Sequence, residues 1–273
     1  MKRSYGRGRD KLAEQPLQTP ARTNSPSSVV YGVLPVLEAL RAEKRAVDKI
    51  VLSEGAHEKR LAEILELARE RGIVVNRVPR KKLSELVPDG ANHQGVAALT
   101  ASAAYADKDD VFSAVSDTTM LLVLDGVEDP RNLGAILRTA ECAGVEGVFI
   151  PERRSVGLTE TVAKSSAGAA EYIKVAKTPN INRLIEELKE KNVWVVGTSA
   201  DAETDYTEWD WTRPTALVLG GEGKGLHRLV AENCDMLVQI PMYGKIQSLN
   251  VSVAAGVILF EARRQRMASG TDS

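Results

Sequence analysis

The stretch Ile240-Pro241-Met242-Tyr243-Gly244-Lys245-Ile246-Gln247-Ser248-Leu249-Asn250-Val251-Ser252-Val253-Ala254-Ala255-Gly256 decides how the C-terminal part of the chain folds. An apolar strand stops at a proline, crosses a glycine-containing loop and enters a helix through Ser248 and Asn250. Serine and asparagine favour helix starts because their side chains satisfy free backbone N–H groups there. In open α/β sheets ligands bind beyond the carboxyl ends of strands. Small and polar groups at this strand-to-helix junction therefore mark a candidate site.

The same device recurs upstream. Residues 120–124, Met-Leu-Leu-Val-Leu, form an uninterrupted apolar run of the kind buried on both faces of a sheet, and Asp125 to Pro130 leads on into a helix beginning near Asn132. Further strands are expected over 146–150, 172–175, 193–198, 216–219 and 236–240, alternating with helices over 159–167 and 182–191. Alternation of this sort predicts a mostly parallel sheet covered on both faces. Its strand ends deliver Gly197 and Thr198, Gly220 to Gly225, and Ile240 to one rim.

Ahead of this lies a smaller unit over 29–103, read as αβαβαβ. Val33, Val36, Leu37 and Leu40 have helical spacing, 47–52 reads as a strand, and 57–71 is an amphipathic helix closed by Gly72. A strand over 73–78, a short helix over 81–86 and a strand over 95–99 follow. Residues 104–118, small, polar and acidic, read as a linker to a second domain over 119–267, with a tail over 268–273. Residues 1–28 carry Lys2, Arg3, Arg7, Arg9, Lys11 and Arg22 without apolar periodicity, and read as a disordered basic tail.

Two features of the smaller unit bear on binding. Arg77, Arg80 and Lys81 cluster near a helix start, beside the turn Asn92-His93-Gln94-Gly95. One reading is a solvated face with a polar turn. The other is RNA, with the cations on phosphates and the amide and imidazole groups on unstacked bases.

Composition sets the outer limits. The 273 residues hold 36 Lys+Arg against 37 Asp+Glu, so any nucleic-acid partner is held by a local patch and not by net charge. Cys142 and Cys234 stand apart and read as reduced thiols of a cytoplasmic protein. His57, His93 and His227 are scattered, so no metal-ligand spacing emerges. No apolar run approaches the ~20 residues that cross a bilayer.

The loop Gly220-Gly221-Glu222-Gly223-Lys224-Gly225 is neither of the common nucleotide-binding glycine motifs. A Walker loop places Lys and Ser/Thr directly after its last glycine, whereas Leu226 and His227 follow here. A dinucleotide fingerprint opens the first βα unit, and this loop comes late. What remains is a loop whose missing side chains let a ligand approach the backbone, with Glu222 and Lys224 to hand.

Taken together, Asp125-Gly126-Val127 with Asn132-Leu133-Gly134-Ala135-Ile136-Leu137-Arg138, the loop Gly220 to Leu226, and Ile240-Pro241-Met242 with Ser248-Leu249-Asn250-Val251-Ser252 resemble three motifs of the SpoU branch of the SPOUT RNA methyltransferases, in order and spacing. The unit over 29–103 is similar to the RNA substrate-binding domain of members that methylate a guanosine ribose in large-subunit ribosomal RNA. The resemblance implies an α/β fold with a knotted, mostly parallel SPOUT-type sheet, S-adenosylmethionine as methyl donor, a ribose 2′-hydroxyl as acceptor, and a homodimer. By position it implies that Gly220, Ile240 and Leu249 contact the cofactor, with Gly197 and Thr198 completing the pocket. Asn132, Arg138, Glu222, Ser248 and Asn250 fall on polar positions associated with RNA positioning and catalysis, although Asn132 and Asn250 are also suited to capping helices. An arginine does not surrender its proton, so Arg138 is expected to grip the RNA phosphate while a phosphate oxygen, Glu222 or water receives the hydroxyl proton. A transfer-RNA methyltransferase and a non-catalytic dimeric RNA-binding protein are the alternatives.

Overall fold

The structure is a computed structural model that describes residues 27–270. Most of the basic tail read over 1–28 lies outside the described residues, but Ser27 and Ser28 do not. They open β1 (Ser27–Tyr31), which pairs antiparallel with β4 (Val96–Ala101). Between them run α1 (Val33–Ala42), β2 (Val47–Ser53), α2 (Glu58–Glu70), β3 (Val74–Val78) and α3 (Arg80–Ser84). The sheet order is β1-β4-β2-β3, with β2 and β3 parallel and β4 antiparallel to both its neighbours. The unit is thus βαβαβαβ, one strand more than the expected αβαβαβ. Leu40, Ile50, Leu52, Leu61, Ile64 and Val96 fill its core beneath α1 and α2.

The stretch read as a linker is built into the second unit. Asp107 caps α4 (Lys108–Phe112) by accepting from Asp109 N at 2.9 Å. Val111 and Phe112 are buried against Leu121 and Phe149. Ala106 N donates to Val175 O at 2.8 Å.

Seven parallel strands make the second sheet: β5 (Met120–Asp125), β6 (Gly147–Pro151), β7 (Lys174–Thr178), β8 (Trp194–Thr198), β9 (Thr204–Asp205), β10 (Thr215–Gly220) and β11 (Met236–Gln239). Their order is β7-β6-β5-β10-β8-β11-β9. All six residues of β5 are buried, as a strand covered on both faces requires. The pleat sends Leu122 and Leu124 to one face and Leu121 and Val123 to the other. On the first face pack α5 (Pro130–Cys142) and α9 (Val251–Ser269), and on the second α7 (Ile181–Glu190). The shorter α6 (Glu160–Ser165) and α8 (Arg228–Asn233) complete the helices.

Two caps correct or support the sequence reading. Asp129, not Asn132, caps α5, accepting from Arg131 N at 2.7 Å with Pro130 in the first turn, so the Asn132 side chain is released for other work. Asn250 does cap α9, accepting from Ser252 N at 2.9 Å.

A buried arginine anchors the far end of α9. Arg266, 5% exposed, donates to the carbonyls of Thr118, Thr119, Trp211 and Arg213, which flank the starts of β5 and β10. The tail read over 268–273 therefore begins inside a helix.

The two units dock through α1 and β1 against α6 and the turn at Ala169–Glu171. Arg45 and Glu171 form a two-pronged ion pair there, each side chain only 6% exposed. Around it Lys44 Nζ donates to Tyr172 O at 2.6 Å, Tyr172 Oη to Glu38 Oε2 at 2.5 Å, and Val29 N to Glu160 Oε1 at 3.1 Å.

Candidate active site

A cleft of about 1040 Å³ opens beyond the carboxyl ends of β8, β10 and β11. Thr198, Gly220, Ile240, Ser248, Leu249 and Asn250 all line it, together with the Gly221 to Leu226 loop. Seven of the expected residues, Glu222 of that loop included, are thus brought from distant parts of the sequence to one place by the parallel sheet. Gly197 is not among them. A side chain at Gly197 would lie 2.8 Å from Leu226, Cys234 and Leu237, so its smallness serves packing beneath the cleft and not the pocket itself.

Gly220 is small for a different reason. Its neighbour in β5 is Asp125, and directly over it the loop doubles back: a Cβ would stand 2.1 Å from the Gly225 carbonyl carbon and 2.4 Å from Leu226 N. The returning loop is pinned by Gly221 N donating to Asp125 O at 2.8 Å and Gly225 N to Gly221 O at 3.2 Å. Gly223 and Gly225 both adopt left-handed φ, 75° and 64°, which glycine accepts without strain. Opposite, residues 240–249 make no backbone–backbone hydrogen bond among the described residues. Of these, residues 240–242 and 247–249 line the cleft, where their peptide groups lie beside apolar Ile240, Met242 and Leu249. Unpaired peptide groups need partners when covered, so this wall suits a purine edge laid on an apolar bed.

At the mouth of the cleft the polar residues form one chain of hydrogen bonds. Asn132 Nδ2 donates to Glu222 Oε1, and Asn250 Nδ2 donates to Asn132 Oδ1 at 3.1 Å. The Asn250 Oδ1 atom accepts from Ser252 N and, at 2.6 Å, from Ser252 Oγ. One end of the chain is therefore tied to the first turn of α9, and the other end is an exposed carboxylate on the glycine loop. Ser252 was not singled out from sequence, although its spacing two residues after a capping asparagine is the available signal. Ser248 lines the cleft and is exposed. Arg138 stands apart: it is exposed nearly two turns further along α5, and its side chain has no hydrogen-bond or ion-pair partner among the described residues. Within one chain it does not join Asn132, Glu222 and Asn250.

The smaller unit offers less to RNA than its sequence suggests. His93 is 2% exposed, with Nδ1 accepting from Gly95 N at 3.0 Å and Nε2 3.1 Å from Ser84 Oγ. Both ring nitrogens are occupied, and burial, reinforced by Arg80 and Lys164, holds its pKa below the ordinary value. His93 thus ties α3 to the start of β4, which corrects its reading as a base contact. Gln94 is exposed but its Oε1 accepts from Val33 N at 2.9 Å, and Asn92 folds back on Gln94 N at 3.2 Å. Arg77, Arg80 and Lys81 are exposed, as an RNA-facing patch requires.

Comparison with known proteins agrees with this geometry. Residues 119–260 match the SpoU rRNA Methylase family, and residues 29–106 match the RNA 2′-O ribose methyltransferase substrate-binding family. A TrmH family tRNA/rRNA methyltransferase of Bacillus subtilis is 46% identical over 240 residues, 87% of this chain and 95% of its own. Among solved structures, the AdoMet-bound rRNA methyltransferase from Sinorhizobium meliloti superposes with a TM-score of 0.73 at 28% identity, over 87% of each chain. The SpoU methyltransferase AviRb from Streptomyces viridochromogenes gives 0.75 at 26% identity, over 89% of this chain and 91% of its own.

A parallel α/β sheet with a cofactor cleft at its carboxyl rim, preceded by a small RNA-binding unit, defines a methyltransferase that acts on RNA. The chain belongs to the SpoU family and is an RNA 2′-O-methyltransferase that uses S-adenosylmethionine. When bound, the cofactor supplies an electrophilic methyl group. The protein's own task is to hold the ribose oxygen in line with it, where positioning alone accounts for a large share of such an acceleration, and to take the proton that the hydroxyl loses. Among the described residues no cluster of metal-binding side chains occurs, and no helix is long and apolar enough to cross a membrane.

Proposed function

We propose that the protein methylates the ribose 2′-hydroxyl of a guanosine in large-subunit ribosomal RNA, as a homodimer in the cytoplasm. The observation that carries the mechanism is the Asn250–Asn132–Glu222 hydrogen-bond chain at the mouth of the cleft. Asn132 and Asn250 hold Glu222, and Glu222 takes the hydroxyl proton as the methyl group transfers. Leu249 closes the cofactor side, Ser248 stands with Asn250 on the catalytic side, Gly220 and Ile240 hold the adenine through their peptide groups, and Arg138, unpartnered among the described residues, meets the phosphate. Arg77, Arg80 and Lys81 extend the grip on the RNA from the smaller unit.

Ribosomal RNA is favoured over transfer RNA because the S. meliloti enzyme, an rRNA methyltransferase by name, matches across both units. The free Cys142 and Cys234 fit the cytoplasm. The dimer is supported by α9, whose Val253, Phe260 and Met267 are 49%, 51% and 69% exposed on one stripe. A second copy is the occupant that such a stripe fits in a family whose resemblance implies dimers.

Labelled S-adenosylmethionine with separated ribosomal and transfer RNA, followed by mapping of the modified nucleotide, tests the reading. The expected product is 2′-O-methylguanosine in the large-subunit RNA, and Glu222→Ala lowers turnover by about 10²-fold or more, as loss of a general base does, with cofactor affinity retained. Label confined to transfer RNA would replace the substrate assignment. No label in any RNA would leave a binding protein.

A further inference from the structure

We propose that a second cleft on the same rim seats the backbone phosphates of the RNA strand adjoining the target nucleotide, gripped by Arg153, Arg154 and Arg228 with His227. This rests on the methyltransferase reading above and extends it to four side chains that lie outside the three motifs. The cleft, about 500 Å³, opens at the carboxyl ends of β5, β6 and β7, where the cofactor cleft takes β8, β10 and β11.

The two clefts share a wall. Gly221 N donates to Asp125 O at 2.8 Å, and a Cβ on Gly221 would stand 2.3 Å from Gly126 O. Asp125 and Gly126 line the second cleft, Gly221 and Glu222 the first. A ribose placed at Glu222 therefore has its neighbouring phosphates directed across one layer of backbone into the second cleft.

The charge there is unspent. Arg153 and Arg154 are exposed on the turn after β6, and among the described residues their side chains have no hydrogen-bond or ion-pair partner. Arg154 holds a left-handed φ of 58° in a turn closed by Ser155 Oγ donating to Pro151 O at 2.5 Å. Among the described residues Arg228 meets only Glu232, one turn away at 2.7 Å with both side chains over half exposed, a pairing that a phosphate readily displaces. The buried carboxylate of the cleft, Asp125, is committed: it accepts from His227 N at 2.8 Å and lies 2.9 Å from His227 Nδ1, which leaves Nε2 facing outward. In a chain with 36 basic and 37 acidic side chains, three arginines in one concavity, none of them paired with its buried Asp125, make a locally positive field that attracts anions. The planar guanidinium fork matches phosphate oxygens.

The test measures binding of bulk ribosomal RNA by the full-length protein between 50 and 200 mM KCl. Arg153→Ala/Arg154→Ala is expected to weaken binding about tenfold and to flatten the logarithmic salt dependence by roughly 1.4, the share of two single-strand phosphates. Arg228→Ala is expected to flatten it by about half as much. Arg153→Lys/Arg154→Lys is expected to keep most of the slope. S-adenosylmethionine affinity, read by calorimetry, stays unchanged in all of them, and KM for RNA rises while kcat holds. Wild-type RNA affinity and slope in the double alanine variant would overturn the assignment, as would an equal loss of cofactor affinity. Wild-type protein that binds RNA without methylating it would remove the enzymatic reading and leave the phosphate cradle standing. Wild-type protein that binds no RNA would remove both.

Discussion

Replacing Gly220 with alanine adds one methyl group at the most crowded point of the cofactor cleft. The new Cβ would stand 2.1 Å from the Gly225 carbonyl carbon, where ordinary contact begins at 3.4 Å, so the glycine loop retreats by about 1.3 Å. The obstructing atoms are backbone, Gly225 C and O and Leu226 N, and no rotamer change relieves them. Overpacking of this kind costs about 1–3 kcal/mol, and the loop that moves is the one that carries Glu222. A displacement of about 1 Å at a reacting centre costs on the order of 10²-fold in rate. Expected results are a roughly tenfold or greater rise in Kd for S-adenosylmethionine by calorimetry, equivalent to about 1.4 kcal/mol, and about 10²-fold slower methylation under saturating cofactor. Gly244→Ala is the control, since nothing lies within 4 Å of a Cβ there and its φ is not left-handed. Should Gly220→Ala bind the cofactor within twofold of wild type and turn over normally, the close approach at Gly220 plays no part in the site.

Two further perturbations probe how the smaller unit is held. Glu171→Ala strands Arg45 in an interface where both side chains are 6% exposed, a loss of about 3–5 kcal/mol for such pairs. KM for RNA is expected to rise with cofactor Kd unchanged, and Arg45→Met/Glu171→Leu to restore docking; equal KM in all three proteins would refute this. His93 accepts a hydrogen bond from Gly95 N, so its ring is neutral in the fold, and burial sets its pKa below the ordinary 6.5. As pH falls through 6.5 the unfolded chain takes the proton first, so the stability His93 contributes is present above that value and lost below it. Melting temperatures compared at pH 5.5 and 7.5 are expected to differ more for wild type than for His93→Gln, and an identical pH dependence would dismiss the effect.

The central sheet was legible because a strand buried on both faces needs an uninterrupted apolar run, and Met120 to Leu124 supplies one. β1 escaped because it brings only Val29, Val30 and Tyr31, and the β4 pairing that stabilises it lies some seventy residues away. The segment around α4 looked like a linker for the opposite reason: Asp107, Lys108, Asp109 and Asp110 are polar, and only the fold shows Val111 and Phe112 inserted beneath β5 and β6. In the site, residue types were readable and adjacency was not. Nothing local to Asn132 announces that Glu222, 90 positions away, and Asn250, 118 away, meet it. That grouping came from the family pattern and is a product of the parallel crossover topology. His93 and Gly197 were read as site residues because turn polarity and missing side chains signal both binding and packing, and only burial tells the two apart.

Arg266 also makes the two ends of α9 depend on each other. The carbonyls of Thr118, Thr119, Trp211 and Arg213 come from two separate stretches of chain, and one side chain in the last turn of α9 satisfies all four. Without that side chain the sheet keeps its strands but loses its fastening, and α9 no longer settles Asn250 against Asn132. A chain cut after Arg263 is expected to stay protease-sensitive throughout 118–240 and to bind no cofactor. The residue that fastens the starts of β5 and β10 and the residue that joins the hydrogen-bond chain at the cleft thus share one helix, so damage at the base of the sheet is felt at the active site.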